Sequence, residues 1–264
     1  MNYGMKKIAP EALVPMDIFT EDFPLRIDLA YCKPAPENIF GVIYRPQARL
    51  WLYKPLAKIV LLAAACSLKN HNLQIVLYDG LRTVEAQKRM QKSPIVQKNP
   101  GWLEGPTRLL SPPGAGAHPR GMAIDLSLET AEGKKIDMGT EFDYLAAKPD
   151  AASNPAHRDY AALSGEIKNN RKKLEAAMQT ASNALKLPLL ALPQEWWDFR
   201  LPEKIYGEYA PLSDADLPVQ MRMTDDFMDI AEPEDFPDAH FESLKNEIYA
   251  EIDPALATIL TAAS

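Results

Sequence analysis

The sequence predicts an α+β protein, with strands that carry polar site residues at their ends and three or more helices packed around them. Three observations carry this expectation. Residues 23–31 and 123–128 alternate apolar and polar side chains as strands do, and residues 73–78 form a short apolar run of buried-strand length. Residues 46–70 and 164–186 instead repeat apolar residues at helical spacing. The stretch from Gly116 to Leu126 links the two patterns, because it holds an imidazole and a carboxylate seven positions apart.

Taken in order, residues 1–22 read as an irregular lead-in. In the strand at 23–31, Leu25, Ile27 and Leu29 face inward, and a turn-rich stretch at 33–38 follows. The helix at 46–70 has Pro55 near its start and an apolar face of Leu56, Ile59, Val60, Ala63 and Cys66, and Asn70-His71-Asn72 ends it. Strand 73–78 runs into Asp79-Gly80-Leu81-Arg82, and Thr83 is placed to cap a helix at 84–92. Proline and glycine make 93–115 a loop.

Pro119 and Gly121 argue against a helix through the central stretch, so His118 is expected on a turn leading into strand 123–128. There Ile124, Leu126 and Leu128 face one side, and Asp125 and Ser127 the other. Glu132-Gly133-Lys134 reads as a hairpin turn into 135–138, and 146–160 as a loop. Ser164 caps the helix at 164–186, which turns Leu174, Ala177, Met178 and Leu185 inward. A strand at 194–200 follows. Pro211, Pro218, Pro233 and Pro237 mark a linker to helices near 241–251 and 254–262, expected to pack as an appendage or interaction arm.

The 264 residues carry a net charge of −7, unevenly spread. From Leu201 onward there are fifteen Asp and Glu against three Lys and Arg, leaving the rest mildly basic. An acidic tail repels phosphate and the body has no dense basic run, so nucleic acid is an improbable partner. The apolar run Ile59 to Cys66 is too short to span a bilayer. Cys32 and Cys66 make neither a disulfide framework nor a metal-type spacing. With no long apolar run at the N-terminus, the expectation is a cytoplasmic protein that contacts no membrane, the periplasm being left open.

Several groups are suited to chemistry, each with a plainer reading beside it. His118 and Asp125 can converge on one metal ion, or be a capping imidazole and a solvated carboxylate. Arg82, at the end of a buried strand, can project into a cleft or pair with Asp79 or Glu85. Glu195 and Asp198 flank Trp196 and Trp197, whose rings exclude water and raise the pKa of a carboxylate toward general-base use; the tryptophans alone are equally ordinary core. Asp143 is a candidate cap or turn residue. His71, His157 and His240 have no partner at metal spacing.

Four motifs in order, Asp79-Gly-Leu-Arg82, His118-x-Arg-Gly-x-Ala-Ile-Asp125-Leu, Met138-Gly-Thr-x-Phe-Asp143 and Glu195-Trp-Trp-x-Phe, resemble the VanX-type D-alanyl-D-alanine dipeptidases. Ile27-Asp-Leu-Ala-Tyr31 and Glu37-Asn38-x-Phe40-Gly41 are similar to that family's N-terminal segment, so the likeness runs from about residue 27 to 200. It implies a small, mainly antiparallel sheet bearing a zinc site, within a catalytic domain at 23–205 and an acidic extension at 206–264. It also implies that His118 and Asp125 are metal ligands, Glu195 the base and Arg82 the oxyanion partner. Tyr31 and Asp143 match positions that hold the substrate's amino end, and Ala117 lines the pocket.

One position departs from the pattern. The family carries a third ligand, a histidine, after Glu-Trp-Trp, and this chain has Asp198 there. A His/Asp/Asp set holds zinc as a poorer Lewis acid, and its oxygen-rich character suits manganese or iron. The expected activity is hydrolysis of D-alanyl-D-alanine or a related short cell-wall peptide. The alternatives are a D,D- or L,D-carboxypeptidase acting on longer wall peptides, and a weakened homologue that binds peptides while its acidic tail docks a protein partner or a second copy.

Overall fold

The computed structural model describes residues 4–104, 109–227 and 237–261. In chain order its strands are β1 (Leu13–Pro15), β2 (Leu25–Ile27), β3 (Trp51–Tyr53), β4 (Gln74–Asp79), β5 (Ala123–Glu129), β6 (Leu190–Ala191) and β7 (Asp198–Arg200). The α-helices are α1 (Lys54–His71), α2 (Val84–Gln91), α3 (Pro94–Lys98), α4 (Gly165–Leu185), α5 (Glu203–Tyr206) and α6 (Asp238–Thr261). A five-stranded sheet runs β2-β4-β5-β7-β6; only the β2–β4 pairing is parallel, and β1 and β3 form a separate antiparallel pair. The expected α+β class with a small, mainly antiparallel sheet is therefore what the chain forms.

Alternation decides which face of β5 meets the helices. Ile124, Leu126 and Leu128 are fully buried, and α1 packs against β4, α4 and α6. The opposite face is also closed, so Asp125 and Ser127 are 2% and 3% exposed. A carboxylate that far from water needs a partner or a cation. That need makes the polar face of the sheet the place to look for function.

Local chemistry sets the element ends. Ser164 Oγ accepts the Ile167 N–H at 3.2 Å and starts α4, and Lys186 ends it in the left-handed region at φ 53°. From α4, buried Arg171 donates to the carbonyls of Met138, Pro155 and His157. One guanidinium thus pins the loop on both sides of Asp143. Gly80 is required by close approach: a Cβ there would lie 2.7 Å from the Trp51 carbonyl oxygen and 2.9 Å from Leu52. Gly80→Ala is expected to lower stability by about 1–3 kcal/mol through overpacking, read as a fall in Tm.

Several local expectations are corrected. The lead-in is not irregular: β1 lies in it, and Leu13, Val14, Met16 and Phe19 are core. The strand at 23–31 shortens to β2, with Tyr31 in a 3-10 turn, and that at 194–200 shortens to β7, with Glu195 on the preceding turn. The first helix begins at Lys54, not Pro46, because residues 51–53 pair with β1. The loop at 93–115 contains α3 and a further 3-10 turn, Pro100–Trp102. After the turn at Gly133, the second hairpin strand reduces to a single bridge between Glu129 and Lys135. Pro233 and Ala262 lie outside the described residues.

The acidic end is not an arm held apart from the body. α6 is one helix that contains Pro254, not two, and buries Leu244, Ile248 and Ile252. Its Glu247 and Glu251 pair with Lys54 and Lys58 of α1, and Asp225 and Asp226 pair with Arg89 of α2. Tyr249 stacks on Phe23 from the lead-in. The uneven charge of the sequence therefore has an internal outlet, since tail carboxylates dock on cations of the mildly basic body.

Candidate active site

Three buried carboxylates stand abreast on neighbouring strands. The β4–β5 register shifts between Leu77 and Asp79, setting Asp79 opposite Asp125, and β7 sets Asp198 opposite Asp125 on its other side. His118 enters from the 3-10 turn His118–Arg120, which closes on Gly121 at φ 63°. Its Nδ1 lies 2.8 Å from the Gly80 carbonyl oxygen. A carbonyl only accepts, so Nδ1 carries hydrogen and Nε2 is turned toward the sheet. There Nε2 lies 3.5 Å from Asp125 Oδ1 and 3.4 Å from Asp198 Oδ2.

His118, Asp125 and Asp198 are thus brought together from three separate segments. Asp79, His118 and Asp125 also offer ligand atoms that all lie within 4.8 Å of one another. Asp79, however, sits on the Nδ1 side of the imidazole, 3.2 Å away. Its Oδ1 accepts from the Tyr44 hydroxyl and its Oδ2 from Arg82 Nε and Nη2, at 2.9 and 2.7 Å. With both oxygens committed, Asp79 is built to orient His118 and Arg82.

The donor set fits a cation. Asp125 Oδ1 is buried with no hydrogen-bond partner among the described residues, although it faces Nε2. Five carboxylates (Asp79, Asp125, Asp143, Glu195 and Asp198) gather around two guanidiniums, Arg82 and Arg200. Burial alone would lower the His118 pKa, but Asp125 and Asp198 outweigh it and raise it to about 10, so the site favours positive charge at this point. Burial and the like charge of Asp198 push Asp125 upward against His118 and Arg82.

Asp198 is held differently. Burial would raise its pKa, yet Arg200 brings it below the usual carboxylate range. Arg200 Nε donates to Oδ1 at 2.7 Å and Nη2 donates to Oδ2, a two-point grip. On a strand, residues two apart share a face, so Asp198-x-Arg200 was the sequence signal for this pair.

The remaining expected residues line one cleft of about 280 Å³, which includes Tyr31, Arg82, Ala117, Asp143 and Glu195. Arg82 lies over the Tyr31 ring at 4.9 Å, and its Nη2 reaches Asp125 Oδ2 at 3.3 Å. The ion pair with Asp79 foreseen as the plain reading of Arg82 is present, and Arg82 faces the cleft as well. Among the described residues its Nη1 meets only the Met90 sulfur, at 3.8 Å, and so retains donor capacity toward the cleft. The Tyr31 hydroxyl donates to Asp143 Oδ1 at 3.2 Å, and Asp143 Oδ2 is buried and, among the described residues, unpartnered. Burial, joined by Asp125 and Glu195, pushes Asp143 well above its ordinary value, so this carboxyl is poised to gain a cationic partner. Burial, then Asp198 and Asp125, push Glu195 up to about 7.

Aromatic rings close the back of the site. Phe142 stacks on Tyr78 at 4.8 Å and meets Trp197 edge-on at 5.5 Å, while Trp196 Nε1 donates to Thr140 Oγ1 at 2.8 Å. The tryptophans are core, and in that role they also fix the turn bearing Glu195. His71 and His240 are absent from the cleft lining, and His157 serves the loop by accepting the Asp159 N–H.

The family model for peptidase M15, D-ala-D-ala dipeptidase, matches residues 11–214. The chain belongs to this family. Its match begins within β1's lead-in and continues past α5, beyond both edges of the resemblance legible in the motifs. The D-alanyl-D-alanine dipeptidase of Escherichia coli (strain K12) is 29% identical over 183 residues, covering 69% of this chain and 81% of the relative. This member of the D-ala-D-ala dipeptidase family is a metallopeptidase, and the buried His/Asp cluster around His118 and Asp125 is the place in the chain that can hold its metal. No helix among the described residues is long and apolar enough to cross a membrane.

Proposed function

We propose that this enzyme hydrolyses D-alanyl-D-alanine, or a closely related free dipeptide of cell-wall metabolism, with one zinc ion held by His118 Nε2, Asp125 and Asp198. The observation that carries the reading is Asp143 Oδ2, buried and unpartnered among the described residues, in the cleft that Glu195 and His118 also line. A buried acceptor of that kind suits the ammonium of a free dipeptide. When bound, the ion supplies Lewis acidity, polarising the oxygen of the scissile amide.

The chain's own residues do the rest. Glu195, with a pKa near neutrality, takes a proton from the attacking water and passes it to the departing amine. Arg82, fixed by Asp79, offers Nη1, engaged by only the weak Met90 sulfur among the described residues, to the negative charge that develops on the amide oxygen. Tyr31 holds Asp143 in place for the substrate ammonium. The aromatic wall excludes bulk water and strengthens each of these interactions.

The test is release of free alanine from D-alanyl-D-alanine by the purified full chain, set against an N-acetylated dipeptide. Rapid cleavage of the free dipeptide alone supports the reading. Preference for the acylated peptide would point instead to a carboxypeptidase of longer wall peptides. Asp143→Asn is expected to raise KM for the free dipeptide roughly 10- to 100-fold, the loss of a hydrogen bond between charged groups. Its effect on the acetylated substrate should be small.

A further inference from the structure

The structure assigns Arg200 a role that goes beyond the family's ligand pattern and rests on the metal-site reading above. We infer that the Asp198–Arg200 ion pair acts as one electrically neutral ligand, replacing the neutral imidazole that the pattern Glu-Trp-Trp-His would supply. Arg200 is then a positioning residue that sets the charge felt by the ion.

Arg200 and Asp198 sit on one face of β7, with side chains 18% and 1% exposed, and Asp198 is gripped through both oxygens. The Asp198 backbone is fixed too, because its carbonyl accepts Arg158 Nη2 at 2.9 Å and Arg158 lies over the Phe199 ring. Asp198 therefore cannot swing away from Arg200 without breaking several contacts. Yet its Oδ2 remains 3.4 Å from His118 Nε2, and a carboxylate oxygen has two lone pairs to offer.

Charge then fixes the consequence. Replacing histidine by aspartate alone would add a full negative charge and make the ion a poorer Lewis acid. Adding Arg200 cancels that charge without removing the oxygen donor. Neither substitution is neutral by itself in a site this dry, so the two residues form a matched set.

The measurement is zinc affinity, by competition with a chromophoric chelator, for the native chain, Arg200→Gln, Asp198→His and the double variant. The expected order is set by local charge. Arg200→Gln binds zinc tightest, the native chain and the double variant bind alike, and Asp198→His binds weakest although it installs the usual ligand. Adjacent steps should differ by about tenfold or more, as expected for a unit charge near a buried ion. Asp198→His binding zinc more tightly than the native chain would overturn the inference. Should that variant fail to fold, Arg200→Gln decides alone, since affinity equal to or below native overturns the pair as well. If none of the folded proteins holds zinc, the metal-site reading falls and takes this inference with it; zinc binding in the wrong order defeats only the inference.

Discussion

Glu195→Gln lowers kcat/KM for the free dipeptide by about 10²–10⁴-fold, the range lost when a positioned proton acceptor is removed. The amide keeps the size and the contacts of the turn before β7, so zinc affinity and Tm should change little. The pH profile gives a second, independent readout. Glu195 accepts a proton only when ionised, and burial with the neighbouring Asp198 and Asp125 raises its pKa to about 7. Activity of the native chain is therefore lost as pH falls through the value of this group. A bound cation favours the carboxylate, which moves the acid limb below about 7 in the loaded enzyme. Residual activity in Glu195→Gln should lack that limb. An unchanged kcat/KM would remove Glu195 from the chemistry.

Asp125→Asn is expected to abolish zinc binding in practice and activity with it. Loss of an outer-sphere partner already costs 10- to 100-fold in metal affinity, so loss of a direct ligand should exceed about 100-fold. The same change should raise the thermal stability of the metal-free protein. Asp125 is buried, and burial with the like charge of Asp198 raises its pKa in spite of His118 and Arg82, so its ionised form costs more than those two cations return. An isosteric amide removes that penalty, and each kcal/mol gained should appear as about 2–4 °C in Tm. Opposite signs for metal affinity and metal-free stability distinguish a carboxylate kept for function from one that holds the sheet together. A fall in both would mark Asp125 as structural.

Much of this site was legible from residue order because its parts sit at punctuated places in the chain. His118 lies between glycine and proline signals, Asp125 sits on an alternating strand, and Glu195 and Asp198 flank the only adjacent tryptophans. Their convergence depends on strand order, which no local pattern encodes. Asp79 was read as a partner for Arg82, and it is one. Its position beside His118 Nδ1 follows from the register shift in β4, a feature without a sequence signature. Arg200 is hard to single out in the sequence because a lone arginine after an apolar residue looks like a strand edge, although its two-residue spacing from Asp198 puts both on one face.

The chain ends were harder for a different reason. Polar and proline-rich segments read as peripheral when taken alone. The lead-in becomes core because β1 finds β3 from a distant segment, and Phe19 and Phe23 find Tyr249 on α6. On sequence alone, Pro254 marks a break between two helices. A proline removes only its own donor and crowds one preceding carbonyl, and packing of Ile252 and Ile259 on the body outweighs that local loss.

The most direct test is an anomalous diffraction measurement on crystals of the full chain loaded with zinc, recorded on both sides of the zinc absorption edge. One peak is expected, enclosed by His118 Nε2, Asp125 and Asp198, with Arg200 still bound to the far side of the Asp198 carboxylate. A peak elsewhere, or an ion that leaves Asp198 bound to Arg200 alone, would contradict it.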